Sequence, residues 1–234
     1  MIQVKLAFLM DCTGSMEPWI QAAKDQITTI INDAVRENGD NVNVSVGFVG
    51  YRDYGDLERF IVEDFQDSVS ILHRIRNVHA DGGDDEAEDV AGGISQLRSL
   101  DWNDADVKLI VHIADAPGHG NMFHTPYLSD RFPRGDPGGL LVMNAISHLS
   151  SHGYDYTFVK INETTDIMIE EFSKCYIHDA IFKVVDLSGQ HRRASTPTFW
   201  RPRDDPTLLL SPAITRSITS SVHRYTATQD PSEV

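Results

Sequence analysis

The sequence predicts an α/β protein with a doubly wound, mainly parallel central sheet, helices on both faces and an irregular C-terminal tail. Two observations lead to this prediction. Short apolar segments alternate with segments of helical periodicity, a pattern typical of right-handed β-α-β crossovers. Two of the apolar segments, residues 2–10 and 107–114, are almost continuously hydrophobic, as expected of strands buried on both faces.

The remaining strands are predicted from shorter apolar or alternating patterns. Val42, Val44, Val46 and Phe48 alternate with polar residues, which indicates a second strand that begins at residue 42. Taken in chain order, the predicted strands cover residues 2–10, 42–51, 59–65, 107–114, 154–161 and 180–185.

The helices are predicted from apolar residues spaced three and four apart. Pro18 suits the first turn of the first helix, and Gly39 is expected to end it. In chain order, the predicted helices cover residues 18–38, 69–78, 87–100, 139–149 and 165–175.

A change in composition divides the chain into a domain at residues 1–186 and a tail at residues 187–234. The tail holds six arginines and no lysine, and it is rich in Ser, Thr and Pro, so we expect it to be mostly irregular or disordered. Its apolar residues, Phe199-Trp200 and Leu208-Leu209-Leu210, are expected to dock on the acidic body of the protein, with docking on a partner as the alternative.

The charge balance excludes some classes of partner. The 234 residues contain 20 Lys and Arg against 35 Asp and Glu, a formal net charge of −15. Such a surface argues against binding to nucleic acid and to anionic membranes. The two cysteines form no metal-ligand spacing or disulfide framework, and the start of the chain lacks the pattern of a signal peptide, so we expect a cytoplasmic protein.

Acidic residues follow two of the buried strands. Asp11 and Asp115 each end an apolar run, and the carboxyl ends of parallel strands form the edge where such sheets bind ligands. Thr13 and Ser15 follow Asp11 at alternate positions, and an acidic loop at residues 82–86 is expected at the same edge. Carboxylate and hydroxyl oxygens are ligands for Mg²⁺, Mn²⁺ or Ca²⁺, so this pattern predicts a divalent-metal site.

Five ordered motifs resemble the von Willebrand factor type A domain, a Rossmann-like fold. The first, Asp11-Cys12-Thr13-Gly14-Ser15, is similar to the D-x-[ST]-x-S motif of the metal-ion-dependent adhesion site in that family. The similarity is greatest to the intracellular subgroup found with alpha-type protein kinases. The other four motifs are Gly50–Asp53, Gly82–Val90, His112–Gly120 and Lys160-Ile161-Asn162.

The resemblance implies a ligand set and a mode of binding. Asp11, Thr13 and Ser15 would be first-loop ligands, Asp115 the later aspartate, and Asp85, with Asp84 beside it, would replace the usual middle-loop threonine. The implied function is non-enzymatic binding of a protein partner, which could supply a carboxylate to the metal. The 48 tail residues are too few for a kinase domain, so the resemblance does not imply kinase activity.

Two other functions stay open at this point. Asp11 could be the nucleophile of a Mg²⁺-dependent phosphohydrolase or phosphotransferase, although Thr13 stands where such sites place a second aspartate. The chain could instead be a scaffold that acts through its tail, with phosphorylation of Ser195 or Thr196 as a switch.

Several residues also have simpler interpretations. Thr13 and Ser15 could cap the first helix. Arg52 and Asp53 are expected to form a local ion pair. His119, His124 and Asp130 are interpreted as an ordinary polar loop, with a second metal site or an acid–base role as the alternative.

Overall fold

The fold is a six-stranded sheet between two layers of helices. In the computed structural model, residues 1–39, 41–188 and 206–229 are described. The strand order is β3-β2-β1-β4-β5-β6, and all neighbours are parallel except β2 and β3. The strands are β1 (Ile2–Asp11), β2 (Val42–Tyr51), β3 (Phe60–Gln66), β4 (Val107–Ala114), β5 (Tyr154–Lys160) and β6 (Phe182–Asp186).

In the described part of the chain, six α-helices cover the two faces of this sheet. They are α1 (Glu17–Asn38), α2 (Ser68–Ile75), α3 (Val90–Gln96), α4 (Val142–Ser151), α5 (Asp166–Lys174) and α6 (Leu210–Gln229). The apolar residues of α1, α2 and α6 pack with Leu6 and Phe8 on one face of the sheet. Those of α3, α4 and α5 pack with Ala7 and Leu9 on the other face. The doubly wound α/β prediction is therefore confirmed, because successive residues of β1 are buried on opposite sides.

The C-terminal segment differs from the prediction. Residues 206–209 form a 3-10 turn and α6 follows, so the expectation of irregular structure is wrong for this part of the tail. Buried apolar residues recur every four positions along α6 and join the core beside α1. Because this apolar stripe lies in a segment rich in Ser and Thr, the composition of the segment predicted irregular structure although the spacing of its apolar residues is helical. These residues are Leu210, Ile214, Ile218 and Val222.

Part of the tail prediction lies outside the described residues. Phe199 and Trp200, proposed to dock on the body, and Ser195 and Thr196, proposed as a phosphorylation switch, all fall between residues 188 and 206. Of the three leucines expected to dock, Leu210 is fully buried on the body, whereas Leu208 and Leu209 are exposed, so the expectation is wrong for these two. The backbone N–H of Ser211 donates to the Gln26 side chain. Among the described residues, no helix combines the length and hydropathy needed to cross a bilayer.

The sheet brings the predicted site residues to one edge. Asp11 is the last residue of β1 and pairs in register with Tyr51, the last residue of β2. Asp53 lies two residues beyond the end of β2, and Asp115 directly follows β4. Because β1, β2 and β4 are parallel neighbours, their carboxyl ends place these three carboxylates on the same edge.

Candidate metal centre

Asp11 and Thr13 form the centre of the first loop. The Thr13 hydroxyl donates to Asp11 Oδ1 at 2.7 Å, and the Thr13 backbone N–H donates to the same oxygen at 2.9 Å. Both residues are buried. Neither the short 3-10 turn after Thr13 nor α1 has a side-chain cap, so the helix-capping interpretation of Thr13 and Ser15 is wrong. The hydroxyl of Thr13 orients a carboxylate instead.

The electrostatic environment of Asp11 opposes its ionisation. Burial raises the pKa of Asp11 from 3.8 to about 7, and the charges of Asp115 and Asp53 add to this shift against the hydrogen bonds from Thr13. A carboxylate in these surroundings needs either a proton or a nearby positive charge to be stable.

Glu88 is a further member of this cluster that the sequence did not single out. It is 3% exposed, and burial, together with the charges of Asp11 and Asp53, raises the pKa of its carboxyl from 4.5 to about 10. Its sequence context is an acidic run in which the neighbouring Asp84 and Glu86 are exposed. No local signal distinguishes a buried from an exposed acid in such a run.

The backbone positions Glu88 between two loops of the site. Its N–H donates to the carbonyl of Pro117 at 2.9 Å, and its carbonyl accepts from the N–H of His119 at 3.3 Å. The turn at Gly83 lies over the same side chain: a Cβ on Gly83 would lie 3.0 Å from Glu88 Oε1 and 3.2 Å from Thr13 Cβ. Gly83 also has φ +87°, so a glycine suits this turn for two reasons.

Ser15 and Asp115 line the open side of the site. They border a pocket of about 410 Å³, and Ser15 is exposed. The backbone carbonyl of Asp115 accepts a hydrogen bond of 2.7 Å from the Thr164 hydroxyl, which ties this loop to the end of β5. The other residues that line the pocket are Pro18, Trp19, Ile161, Asn162, Glu163 and Ser188.

Asp85 lies close to Asp53 and His119. One ligand atom each from Asp85, Asp53 and His119 lie within 4.8 Å of one another. Asp85 Oδ2 accepts a hydrogen bond from the backbone N–H of Arg131. Burial is the main cause that raises the pKa of Asp85 above its ordinary value, and the charge of Asp53 contributes.

The loop after Asp115 forms a network of hydrogen bonds. His119 Nε2 is hydrogen-bonded to Asp53 Oδ1 and its Nδ1 to Asp130 Oδ1, both at 2.7 Å. His124 Nε2 is hydrogen-bonded to the other oxygen of Asp130 at 2.9 Å. Burial alone would lower the pKa of His119, but the hydrogen bonds to the two carboxylates outweigh it and raise the pKa. The interpretation as an ordinary polar loop is wrong, because these side chains are buried beside the site.

Arg52 holds the surrounding loops together. Its guanidinium donates to the backbone carbonyls of Cys12 at 3.2 Å, Glu58 at 2.7 Å and His79 at 3.0 Å, and it forms an ion pair with the Glu58 carboxylate. The expected ion pair with Asp53 is therefore wrong; Asp53 faces His119 instead.

The donor atoms of the site fit a divalent cation. Within the described part of the chain, four carboxylate oxygens in this region are buried and have no hydrogen-bond partner. Unpartnered buried carboxylate oxygens are costly, and a cation that accepts several hard oxygen ligands removes that cost. Asp11 Oδ2 and Glu88 Oε2 belong to the first loop and its neighbour, whereas Asp53 Oδ2 and Asp85 Oδ1 belong to the group around His119.

Comparison with known sequences supports the resemblance. Residues 5–121 match the sequence profile of the von Willebrand factor A domain. The chain is also similar to the Dictyostelium discoideum protein named alpha-protein kinase vwkA, with 34% identity over 175 residues. That match covers 73% of this chain and 27% of the relative, so the chain spans about a quarter of the length of that protein.

Solved structures share the fold at low sequence identity. The SpRpn10 VWA domain has a TM-score of 0.53 at 13% identity, and the match covers 80% of this chain and 88% of that one. The pilus adhesin SpaC from Lactobacillus rhamnosus GG has a TM-score of 0.59 at 12% identity, over 93% and 30%. Proximal thread matrix protein 1 from the mussel byssus was solved with zinc in its metal-ion-dependent adhesion site (MIDAS) motif. It has a TM-score of 0.50 at 14% identity, and the match covers 78% of this chain and 41% of that one.

Proposed function

Because the chain belongs to the von Willebrand factor A domain family, we propose that it is a non-enzymatic module that binds a protein partner through a divalent cation. Asp11, Thr13, Ser15 and Asp115, here called the Asp11 site, hold the cation, with Mg²⁺ as the first candidate and Mn²⁺ or Ca²⁺ as alternatives. The observation that carries this proposal is the Asp11 carboxylate, which is fully buried and keeps Oδ2 without a hydrogen-bond partner. When bound, the cation supplies a position that an external carboxylate oxygen can occupy.

The partner approaches from the side of Ser15. The pocket of about 410 Å³ that Ser15 and Asp115 border contains the apolar residues Pro18, Trp19 and Ile161. A side chain that neighbours the partner's carboxylate has room to enter this pocket, so metal ligation and apolar contact act together.

Two residues compete for the middle-loop position. The family motif assigns Asp85 to it, whereas Glu88 has the closer relation to the Asp11 site: Asp11 raises the pKa of Glu88, and Gly83 covers both Glu88 and Thr13. We favour Glu88 for this position. Asp85→Ala should then leave Mg²⁺ affinity within about threefold of wild type, whereas Glu88→Gln should weaken it by at least about tenfold.

The geometry supports binding over catalysis. An Asp11 nucleophile needs an oxygen that can reach a phosphoryl group. Asp11 is fully buried, Thr13 donates two hydrogen bonds to its Oδ1, and in this proposal the cation is bound by its Oδ2. The scaffold alternative loses support in the described part of the tail, because α6 packs on the core.

Relatives extend this proposal in two ways. The mussel protein was solved with zinc at its adhesion motif, which supports a divalent cation at the corresponding edge here.

The Dictyostelium relative is named a kinase, and an association of this chain with alpha-kinase signalling is part of the proposal. A cytoplasmic location belongs to it as well, supported by the free thiols of Cys12 and Cys175.

Calorimetric titration with Mg²⁺ and Mn²⁺ tests the cation site. Wild type should bind one equivalent with micromolar to millimolar affinity, and Asp11→Ala should lose this binding. Asp179→Ala is the matched control, because Asp179 is exposed and precedes β6 at the opposite edge of the sheet. Equal heats of binding for wild type and Asp11→Ala would reject the site.

A peptide array tests the mode of partner binding. Immobilised peptides that contain Asp or Glu should retain the wild-type protein in Mg²⁺ and release it in EDTA, and Asp11→Ala should bind none of them. Retention that persists in EDTA would contradict a metal-mediated contact.

A further inference from the structure

We infer that Asp53, Asp85 and His119 form a second metal site, separate from the Asp11 site and suited to a borderline-soft ion such as Zn²⁺. These three residues, here called the His119 site, each offer one ligand atom, and the three atoms lie within 4.8 Å of one another. Atoms this close can share one ion after shifts of about 1 Å, since the usual zinc–ligand distance is about 2 Å.

The donor set differs from that of the Asp11 site. An imidazole nitrogen with two carboxylates is a combination that zinc and other first-row transition ions accept readily, whereas Mg²⁺ prefers oxygen ligands alone. Three protein ligands leave a fourth position for water or for a ligand atom from outside.

Two buried oxygens indicate that this cluster lacks a partner. Asp53 is fully buried, and its Oδ2 has no hydrogen-bond partner; Asp85 Oδ1 is also buried and unpartnered. A buried carboxylate oxygen with no donor is unfavourable, and a bound ion would satisfy both oxygens at once. This observation is independent of the spacing of the three ligand atoms.

The surroundings of His119 are those of a metal-ligating histidine. Such a histidine usually directs its second ring nitrogen to a carboxylate, which fixes the ring orientation. Here Nε2 faces Asp53 while Nδ1 is hydrogen-bonded to Asp130 at 2.7 Å. Asp130 is itself held by the backbone N–H groups of Gly120 at 2.8 Å and Phe132 at 2.7 Å. Asp130 is therefore a positioning residue that holds the imidazole with Nε2 directed toward Asp53.

The main competing interpretation is an internal ion pair. A proton on Nε2 would let His119 donate to Asp53, and the cluster would then be structural. That arrangement satisfies Asp53 Oδ1 but leaves Asp53 Oδ2 and Asp85 Oδ1 without partners. The two interpretations differ in whether the folded protein takes up zinc through His119.

Zinc titration by calorimetry separates these interpretations. All proteins carry His152→Gln, because the rings of the exposed His148 and His152 lie with centroids 3.8 Å apart and could bind zinc adventitiously. The proteins also carry Asp11→Ala, which removes the Asp11 site. Zinc binding in this background therefore tests the His119 site alone, whether or not the Asp11 site binds a cation. We expect this background to bind one equivalent of Zn²⁺.

Variants of the ligands then decide the assignment. In the same background, His119→Gln and Asp85→Asn should each weaken Zn²⁺ binding at least about tenfold, and Asp130→Asn by about 10- to 100-fold. His178→Gln, an exposed histidine before β6, is the matched control and should leave the affinity unchanged. Asp85→Asn keeps the test valid if His119→Gln fails to fold, since Asp85 is less buried.

Two results would overturn the inference. One is the absence of Zn²⁺ binding in the Asp11→Ala background, which would leave an internal ion pair only. The other is an affinity within twofold of that background in the folded Asp85→Asn and Asp130→Asn variants. Cobalt substitution adds a readout besides affinity: the Co²⁺ absorption bands should change in Asp130→Asn if Asp130 orients the ligating imidazole.

Discussion

At the scale of single residues, Asp11 shows how burial changes the ionisation of an acidic side chain. The residue ends an apolar strand, Thr13 holds one of its oxygens, and the other oxygen has no partner. With its pKa raised to about 7 by burial and by Asp115, Asp11 destabilises the metal-free protein whenever it is ionised.

This leads to a prediction on pH dependence. Between about pH 4 and pH 7 the native state binds more protons at Asp11 than the unfolded state, so the metal-free protein should lose stability as pH rises through this range. Asp11→Asn removes that titration. Relative to wild type in EDTA, the variant should gain free energy of unfolding by up to about 1.4 kcal/mol per pH unit.

Urea unfolding at pH 5, 6 and 7 provides the measurement. Both proteins carry Glu88→Gln in this experiment, because the charge of Asp11 contributes to the raised pKa of Glu88 and Asp11→Asn would otherwise change both titrations. Parallel stability profiles for the two proteins would contradict the assignment. With saturating Mg²⁺ the order should reverse, because the variant cannot offer a carboxylate to the ion.

His112 is also buried, but unlike Asp11 it has a hydrogen-bond partner for each of its polar side-chain atoms. It is fully buried in the sheet, its Nε2 lies 2.7 Å from the hydroxyl of Tyr51, and its Nδ1 lies 2.7 Å from the hydroxyl of Tyr156. Burial lowers the pKa of His112 to about 3, so the ring is neutral, and one tyrosine donates while the other accepts. His112 is thus a structural residue, whereas His119, from the same motif at residues 112–120, contacts Asp53 of the candidate metal centre.

At the scale of elements, α6 shows how a polar segment can still belong to the core. Its apolar stripe packs against α1, and its polar groups make specific contacts on either side. The Thr219 hydroxyl donates to Glu37 at 3.1 Å, and Arg224 forms an ion pair with the buried Asp155 at 3.0 Å. The Tyr225 hydroxyl donates to Asp106 at 2.8 Å.

Truncation of one apolar side chain in α6 tests this packing. Ile218 is fully buried, so Ile218→Ala should lower the free energy of unfolding by about 2–5 kcal/mol through lost burial and a new cavity. Arg216→Ala, at an exposed position of the same helix, is the matched control and should change stability by less than about 0.5 kcal/mol. Chemical denaturation measures both, and equal effects would mean that α6 does not dock as described.

At the scale of the whole molecule, the formal net charge is −15, and the carboxylates of Asp11, Asp53 and Asp115 lie at the same edge of the sheet. Self-repulsion of this kind destabilises the compact state and attracts cations in general. A specific site adds a second effect, because an ion that binds only the native state stabilises it by mass action.

Thermal unfolding distinguishes the specific from the general effect. Mg²⁺ at about 100 times its Kd should stabilise wild type by about 2.7 kcal/mol, which corresponds to roughly 5–10 °C in Tm. NaCl at equal ionic strength should give a smaller rise that wild type and Asp11→Ala share. A Mg²⁺-dependent rise of the same size in Asp11→Ala would attribute the whole effect to screening.

Much of the fold follows from the sequence alone. Apolar strands, helical periodicity and the change of polarity at strand ends are local signals, and they predicted all six strands to within about two residues. They also predicted that Asp11 and Asp115 lie on one edge, since the ends of parallel strands meet there. The ordered motifs identified the family that the comparisons confirm.

Tertiary structure decided which groups are buried and which of them face each other. Glu88 cannot be told from its exposed neighbours by sequence, and Asp53 meets His119 across 66 positions of the chain. The docking of α6 likewise depends on a surface of α1 far away in sequence. The physical reason is that desolvation and charge–charge interactions depend on distances through space, while sequence patterns report only the periodicity of neighbours along the chain.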